Sequence, residues 1–391
     1  MLKQITFCAP LHRLVLTLGA GVALAVIEFL MPAGSQAASP MNYEIWALDQ
    51  GTNQAHIYSS DLKESHRIDL AARGVRTAHM IYFTSNGAYA FIASTGSGDV
   101  TVVRAGDRAI VAQLATGPGT HMATVGPDDR SAIVAVIGNP KAPGTGKLVE
   151  IRADRAKESF TLGRSLVISE DPLVKGKAAR FKDTRPICQE FTADGRYAYV
   201  TLGPAFEAGG VVVFDTRSFA LAAAYPPDEV RANCGTVRIN GGRHMIVNGG
   251  SADVGIWYVF DTTTHKVIHQ ADSRGKDAHG VWPTPDGSAI WMVNRVSSNA
   301  IVIDPATFRV IAEINSVGKT PDIIAMTPDS RYAFVTLRGP KPVTAPHVAV
   351  GETPGFAVID LRTRKVVRTI EPAKGEPKSD FHGIGVRILG R

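Results

Sequence analysis

The stretch FTADGRYAYVTLG, residues 191–203, decides the fold. It joins a turn signal, Asp194-Gly195, to an alternating apolar run. Residues at such a turn tolerate positive φ, and a period of two gives a half-buried strand. The template recurs at FTSNGAYAFIAST (83–95), VGPDDRSAIVAV (125–136), RINGGRHMIVNGG (238–250), PTPDGSAIWMVNR (283–295) and MTPDSRYAFVTLR (326–338). A second template follows each first one: VVVFDTRSFALAAAY (211–225), WYVFDTTTHKVIHQA (257–271), IVIDPATFRVIAEI (301–314) and FAVIDLRTRKVVRTI (356–370). Weaker copies stand at 101–114 and 148–162. Asp215, Asp261, Asp304 and Asp360 open the turns of this template, where a carboxylate accepts from its own backbone two residues on.

Two hairpins per unit make four short antiparallel strands. Units repeat at 42–46 residues where no insertion intervenes, the length of a propeller blade. A helical solenoid is excluded, because the period inside each unit is two. The first copy, YEIWALDQGTNQAHIYSSDLKESHRIDL (43–70), supplies three strands, and the last, DFHGIGVRIL (380–389), supplies one. The two fragments sum to one blade. The sequence therefore predicts an all-β, seven-bladed β-propeller of four-stranded antiparallel blades over 43–388, closed by the C-terminal strand joining the N-terminal strands. Closure leaves few unprotected strand edges.

Composition agrees with a folded chain: of 391 residues, 45% are hydrophobic and 20% charged. A net charge of +6 without a basic run of five or more argues against nucleic acid as a partner. Residues 1–37 read as a secretory signal peptide. Lys3 and Arg13 precede the apolar run LVLTLGAGVALAVIEFLM, which ends in GSQAAS. A periplasmic or secreted monomer is expected, with no membrane association after cleavage. Cys188 and Cys234 then remain, too few for a disulfide scaffold, and either pairing or free thiols fit the sequence. Surplus residues fall at 138–146, about 165–183 and 339–355. Insertions in repeat proteins become loops, often on the binding face, and LVKGKAARFK within the second suggests a short helix capping one side.

The YVTLG-type strands and their spacing resemble the bacterial YVTN-type seven-bladed β-propellers over nearly all of 43–388. Relatives of that architecture include the haem-binding propeller of periplasmic nitrite reductases, the large subunits of amine dehydrogenases and sugar-lactone hydrolases. The resemblance implies the fold and leaves the function open. No C-x-x-C-H occurs, so covalent c-type haem is not expected.

Aligning the turns brings out a recurrent position at the start of each innermost strand: His79, His121, Cys188 (slipped by one residue), Cys234, His279, Asp322 and His382. In a closed propeller these become a ring at one mouth of the channel. All are metal-capable side chains, although a His there also serves to bond a neighbouring blade's backbone. Three residues earlier stand Arg76, Arg185, Arg231, Lys276 and Lys319, with Lys378 four before His382. Such a basic collar would attract an anion. The expected function is binding of a small anionic or metal-bearing ligand, with a transition metal or haem-like cofactor at the ring. An exported redox partner protein is the other expected partner. A hydrolytic or redox enzyme using the same mouth, and a protein-interaction scaffold, are the alternatives. No nucleophile elbow, H-E-x-x-H or phosphate-loop context selects a reaction.

Overall fold

The computed structural model describes residues 42–204, 208–250 and 253–390. The signal-peptide reading of 1–37 lies outside the described residues. Seven four-stranded antiparallel sheets form the blades. Blades 1 to 6 span 78–115, 120–167, 186–225, 236–272, 278–314 and 321–370. Blade 7 is composite: Phe381–Ile388 is its innermost strand and pairs with Tyr43–Asp49. The innermost strands contact one another in sequence order, and Phe381–Ile388 contacts both Ala78–Phe83 and Pro321–Met326, which closes the ring.

The turn chemistry is the expected one. In blade 3, Asp194 accepts from Thr192 Oγ1 at 2.6 Å and Arg196 N at 3.1 Å, while Gly195 takes φ 68°. In the second hairpin of the unit, Asp215 accepts from Arg217 N at 2.8 Å and Ser218 N at 3.1 Å. Asp261 and Asp304 repeat this arrangement, and Asp360 accepts from Thr363 N at 2.7 Å. Each blade is apolar on both faces of its middle strands, so Trp46, Phe91, Tyr199, Trp257, Trp291 and Phe334 are fully buried between neighbours. Closure is what lets both faces leave water.

One irregularity positions the functional side chains. In six blades the register between the innermost strand and its partner shifts near the ring position, for example between Ala78 and Met80 and between Pro321 and Ile324. A bulge bends a strand locally and re-aims a side chain. Just below it, Gly235, Gly280 and Gly383 lie against the next blade's backbone. An added Cβ would come within 2.6, 2.3 and 2.5 Å of the His279, Asp322 and His79 carbonyl oxygens. These glycines let the blades approach closely at ring height.

The 165–183 insertion forms a four-residue helix, Pro172–Lys175, flanked by single 3-10 turns. Ile168, Val174 and Phe181 pack onto blade 3, and Asp171 accepts from Leu221 N on its outer strand at 3.0 Å. It therefore covers the flank of a blade.

Removal of residues 381–391 is expected to abolish cooperative unfolding, because it deletes the strand that joins both ends of the ring. Thermal denaturation followed by circular dichroism checks this. A truncated protein with the parental transition would refute closure by this strand.

Candidate functional site

The ring residues meet at one end of the channel, around a cavity of about 630 Å³. His79, His121, Cys234, His279 and His382 line it, together with Arg295, Asp277 and Ile187. Asp322 lies just beneath, fully buried. Strand register places Ile187 at the ring position of blade 3, since Pro186 pairs with Leu202 as Ala78 pairs with Ser94. Cys188 is one residue deeper and joins Met80, Met122, Cys234 and His279 around a smaller cavity of about 40 Å³. Both cysteines are buried free thiols.

Two groups of side chains can be distinguished. In the first, His79 Nε2 lies 3.0 Å from His121 Nε2, and the His79 and His382 rings stack at 3.6 Å between centroids. His79 Nδ1 faces Gln50 Oε1 at 2.8 Å, and His382 Nδ1 faces the His79 carbonyl at 3.1 Å. Each acceptor assigns a proton to Nδ1, so His79 Nε2 accepts from His121 Nε2–H and the His382 Nε2 lone pair is left over. Burial and neighbouring positive charge hold His79 and His382 well below the ordinary histidine range, and burial lowers His121 to about 4. This trio is neutral at pH 7.

The second group is charged. His279 Nε2 stands 2.7 Å from Asp322 Oδ1, and its Nδ1 stands 2.7 Å from Cys234 Sγ. Arg338 Nη1 bonds Asp322 Oδ2 at 2.7 Å. Arg295 Nε bonds Asp277 at 2.6 Å, and its Nη1 lies 3.4 Å from His279 Nε2. Burial and Arg295 oppose charge on His279, but Cys234 and Asp322 outweigh them and raise it to about 9. Asp322 is held well below the carboxylate range: burial opposes its ionisation, and the surrounding His279, His382, Arg295 and Arg338 prevail. His279, Asp322 and His382 place ligand atoms within 4.8 Å of one another, a spacing that suits a metal ion. Here His279 and Arg338 each engage one oxygen of the carboxylate.

The collar residues stand elsewhere. Arg76, Lys276, Lys319 and Lys378 are exposed on the rim. Arg185 is buried against Asp183, with contacts of 2.6–3.0 Å. Arg231 borders a separate recess with Arg180, Lys182 and Asp228. None of the six is among the residues lining the mouth cavity. The cations at the cavity and its floor are Arg295 and Arg338, which sequence reasoning missed. Both directly follow the second strand of their blade, where other blades carry Gln50, Thr95, Ile137, Gly203 and Gly250. The signal was visible as the shared terminal Arg of SAIWMVNR and RYAFVTLR.

The 339–355 insertion covers part of the cavity with Val343–Val348. Its position is fixed by Val343 N to Asp380 Oδ2 at 2.8 Å and by Thr344 Oγ1, which accepts from Arg338 and from Gln50 at 3.0 Å each. Pro140 of the 138–146 insertion and Pro204 add apolar wall.

No known protein family and no curated protein matches this sequence. Solved structures match in fold. A dihydro-haem d1 dehydrogenase, NirN, in complex with DHE is 16% identical with a TM-score of 0.55, over 90% of this chain and 77% of that one. The hydrazine synthase of Kuenenia stuttgartiensis is 14% identical with a TM-score of 0.54, over 78% and 86%. The β-propeller domain of Cps50 (Swd1) from Myceliophteria thermophila is 11% identical with a TM-score of 0.55, over 74% and 89%. At these identities the likeness establishes a seven-bladed β-propeller.

His279 makes stability depend on pH. Its folded-state value of about 9 exceeds the ordinary 6.5, so the folded protein holds this proton more tightly. The resulting stabilisation is complete below pH about 6.5 and is lost as pH rises towards 9. The melting temperature should fall across that window, and His279→Gln should flatten the decline. An unchanged slope in the variant would contradict the assignment.

Proposed function

We propose that the mouth binds a compact amphipathic ligand with an anionic end, carried alone or as part of a metal-bearing, haem-like group. The observation behind this reading is the mixed lining of one cavity. Ile137, Pro140, Ile187, Pro204, Val343 and Val348 supply apolar surface, while His79, His279, Arg295 and His382 supply polar groups. A volume near 630 Å³ lies within the range of small-molecule sites, which combine mostly apolar lining with a few fixed polar groups. Arg295 and protonated His279 would hold a carboxylate by charge-assisted hydrogen bonds.

The neutral histidines fit a metal-bearing ligand. A metal-binding imidazole ordinarily donates its other ring N–H to an acceptor, which orients the ring. His79 and His382 both have such an acceptor at Nδ1. His382 Nε2, or His79 Nε2 on release from His121, would hold the metal of a haem-like group, which would supply the redox or coordination chemistry. NirN, solved in complex with DHE, is a precedent for this fold carrying such a ligand.

Export is part of the proposal and rests on the leader-like residues 1–37. It is checked by the N-terminal sequence of the protein recovered from a periplasmic or culture fraction.

Titration with haemin and with metal-free protoporphyrin IX, followed by absorption and fluorescence, tests the reading. Saturable binding of haemin at one equivalent is expected, weakened at least about tenfold by His79→Ala or His382→Ala. Equal binding of both porphyrins, insensitive to the histidines but weakened by Arg295→Leu, would keep the anionic amphipath and remove the metal. Binding of neither would overturn the proposal.

A further inference from the structure

The inner strands carry a second recurrent column, at the end of the channel opposite the mouth. Two residues before Thr84, Thr192, Thr284 and Thr327, which open the turns, stand Tyr82, Glu190, Trp282 and Ala325. Register makes the four equivalent: Tyr82 pairs with Phe91, Glu190 with Tyr199, Trp282 with Trp291 and Ala325 with Phe334. Blades 1 and 5 thus place a half-buried aromatic side chain at this position. The inner strands of blades 6 and 7 lie between those of blades 5 and 1.

A chamber of about 270 Å³ lies there, lined by residues of these four strands and of the turn at 84–87. Ile81, Phe83, Ile324, Met326, Ile384 and Val386 give it apolar walls. Between it and the mouth lies the cavity of about 40 Å³, which shares Cys234 and His279 with the mouth and Tyr82 and Trp282 with the chamber. That waist has room for little more than water. Arg387, the charged residue in the chamber lining, is fully engaged. It bonds the Gly87 carbonyl at 2.7 Å, Glu44 at 3.0 Å and the Ala105 carbonyl at 2.9 Å. A charged ligand would therefore lose its hydration without gaining a counter-charge.

The hydroxyls of Thr84 and Ser85 are taken up by Asn86 at 2.9 Å and Asp129 at 2.5 Å. Tyr82 Oη and Trp282 Nε1 remain. Neither hydrogen-bonds a described residue, and neither is sealed from open space. Burial, with Glu190 and Cys188 nearby, holds the Tyr82 phenol well above its ordinary range, so it keeps a proton to donate. An indole N–H only donates. Two donors set in apolar walls call for a neutral ligand with an accepting oxygen. We propose that this chamber binds a small neutral aromatic molecule, of one or two rings, carrying a carbonyl or ether oxygen. An apolar cavity of about 150 Å³ holds benzene, so the volume suits this size. Met80 and Met326 also line the chamber, and thioethers make favourable contacts with aromatic rings. The oxygen accepts from Tyr82 or Trp282 while the ring covers the apolar wall. Entry is from the 84–87 side, so this site does not require the ligand proposed for the mouth.

The test uses the purified full protein and acetophenone as the probe, followed by calorimetry and saturation-transfer NMR. Saturable binding of one equivalent is expected. Ethylbenzene, which lacks the oxygen, should bind about tenfold more weakly, the worth of one hydrogen bond. Benzoate should bind at least as weakly, because its charge has no partner in the chamber. Replacing both donors, Tyr82→Phe with Trp282→Phe, should abolish the preference for acetophenone over ethylbenzene. A ligand seated at the mouth would not respond to these substitutions. Should the double variant fail to fold, one of the two single variants must reduce that preference. Excess haemin should leave acetophenone binding unchanged. Absence of saturable binding, equal affinity for ethylbenzene or benzoate, an undiminished preference in the variants, or competition by haemin would overturn the proposal. Haemin binding at the mouth is read separately, so failure at either end of the channel leaves the other intact.

Discussion

Arg338 has no exposed side-chain surface, and its guanidinium is divided between two carboxylates. It bonds Asp322 at 2.7 Å within its own blade and Asp380 twice at 2.8 Å at the start of the closing strand. Asp380 also accepts from Gly339 N, Val343 N and Gln50 Nε2. Blade 6, the composite blade and the covering loop therefore share one buried charged node. A buried charge without its partner costs about 3–5 kcal/mol, so the node favours one arrangement of the ring. The same arrangement aims Asp322 at His279 and Gln50 at His79.

Much of this architecture is legible in the sequence because its signals are local. A turn Asp or Gly and the alternating run beside it form a complete hairpin instruction in about a dozen residues. The composite blade follows from counting, since three strands at one end and one at the other complete a unit. The ring was readable for a related reason. A bulge recurs at one point of the repeat, so one alignment column holds most of the side chains aimed into the mouth. The exception is instructive: Cys188 stands beside Ile187, and only strand pairing shows which of them occupies the column.

The remaining parts of the site depend on tertiary neighbours. Arg76, Lys276 and Lys319 recur at a fixed offset, but they precede the inner strand and stay solvated on the rim. Arg185 shares the offset and is neutralised by Asp183 two residues away. Arg295 and Arg338 occupy one equivalent position in only two of seven blades, so periodicity does not mark them. Their importance arises from what they meet: Asp277, Asp322 and Asp380. The covering segment 343–348 has no repeat counterpart and takes its place from Asp380 and Arg338. Symmetry thus supplies the ring, while departures from symmetry divide it into a neutral imidazole cluster and a charged imidazole–carboxylate–guanidinium group.

The account stands on the linkage of ring closure to the mouth through the Arg338–Asp380 pair, and a double-mutant cycle measures it directly. Arg338→Met, Asp380→Asn and the double variant would be compared by denaturant unfolding. Coupling of more than about 1 kcal/mol is expected for groups that share a buried charged network. Additive effects of the two substitutions would contradict it.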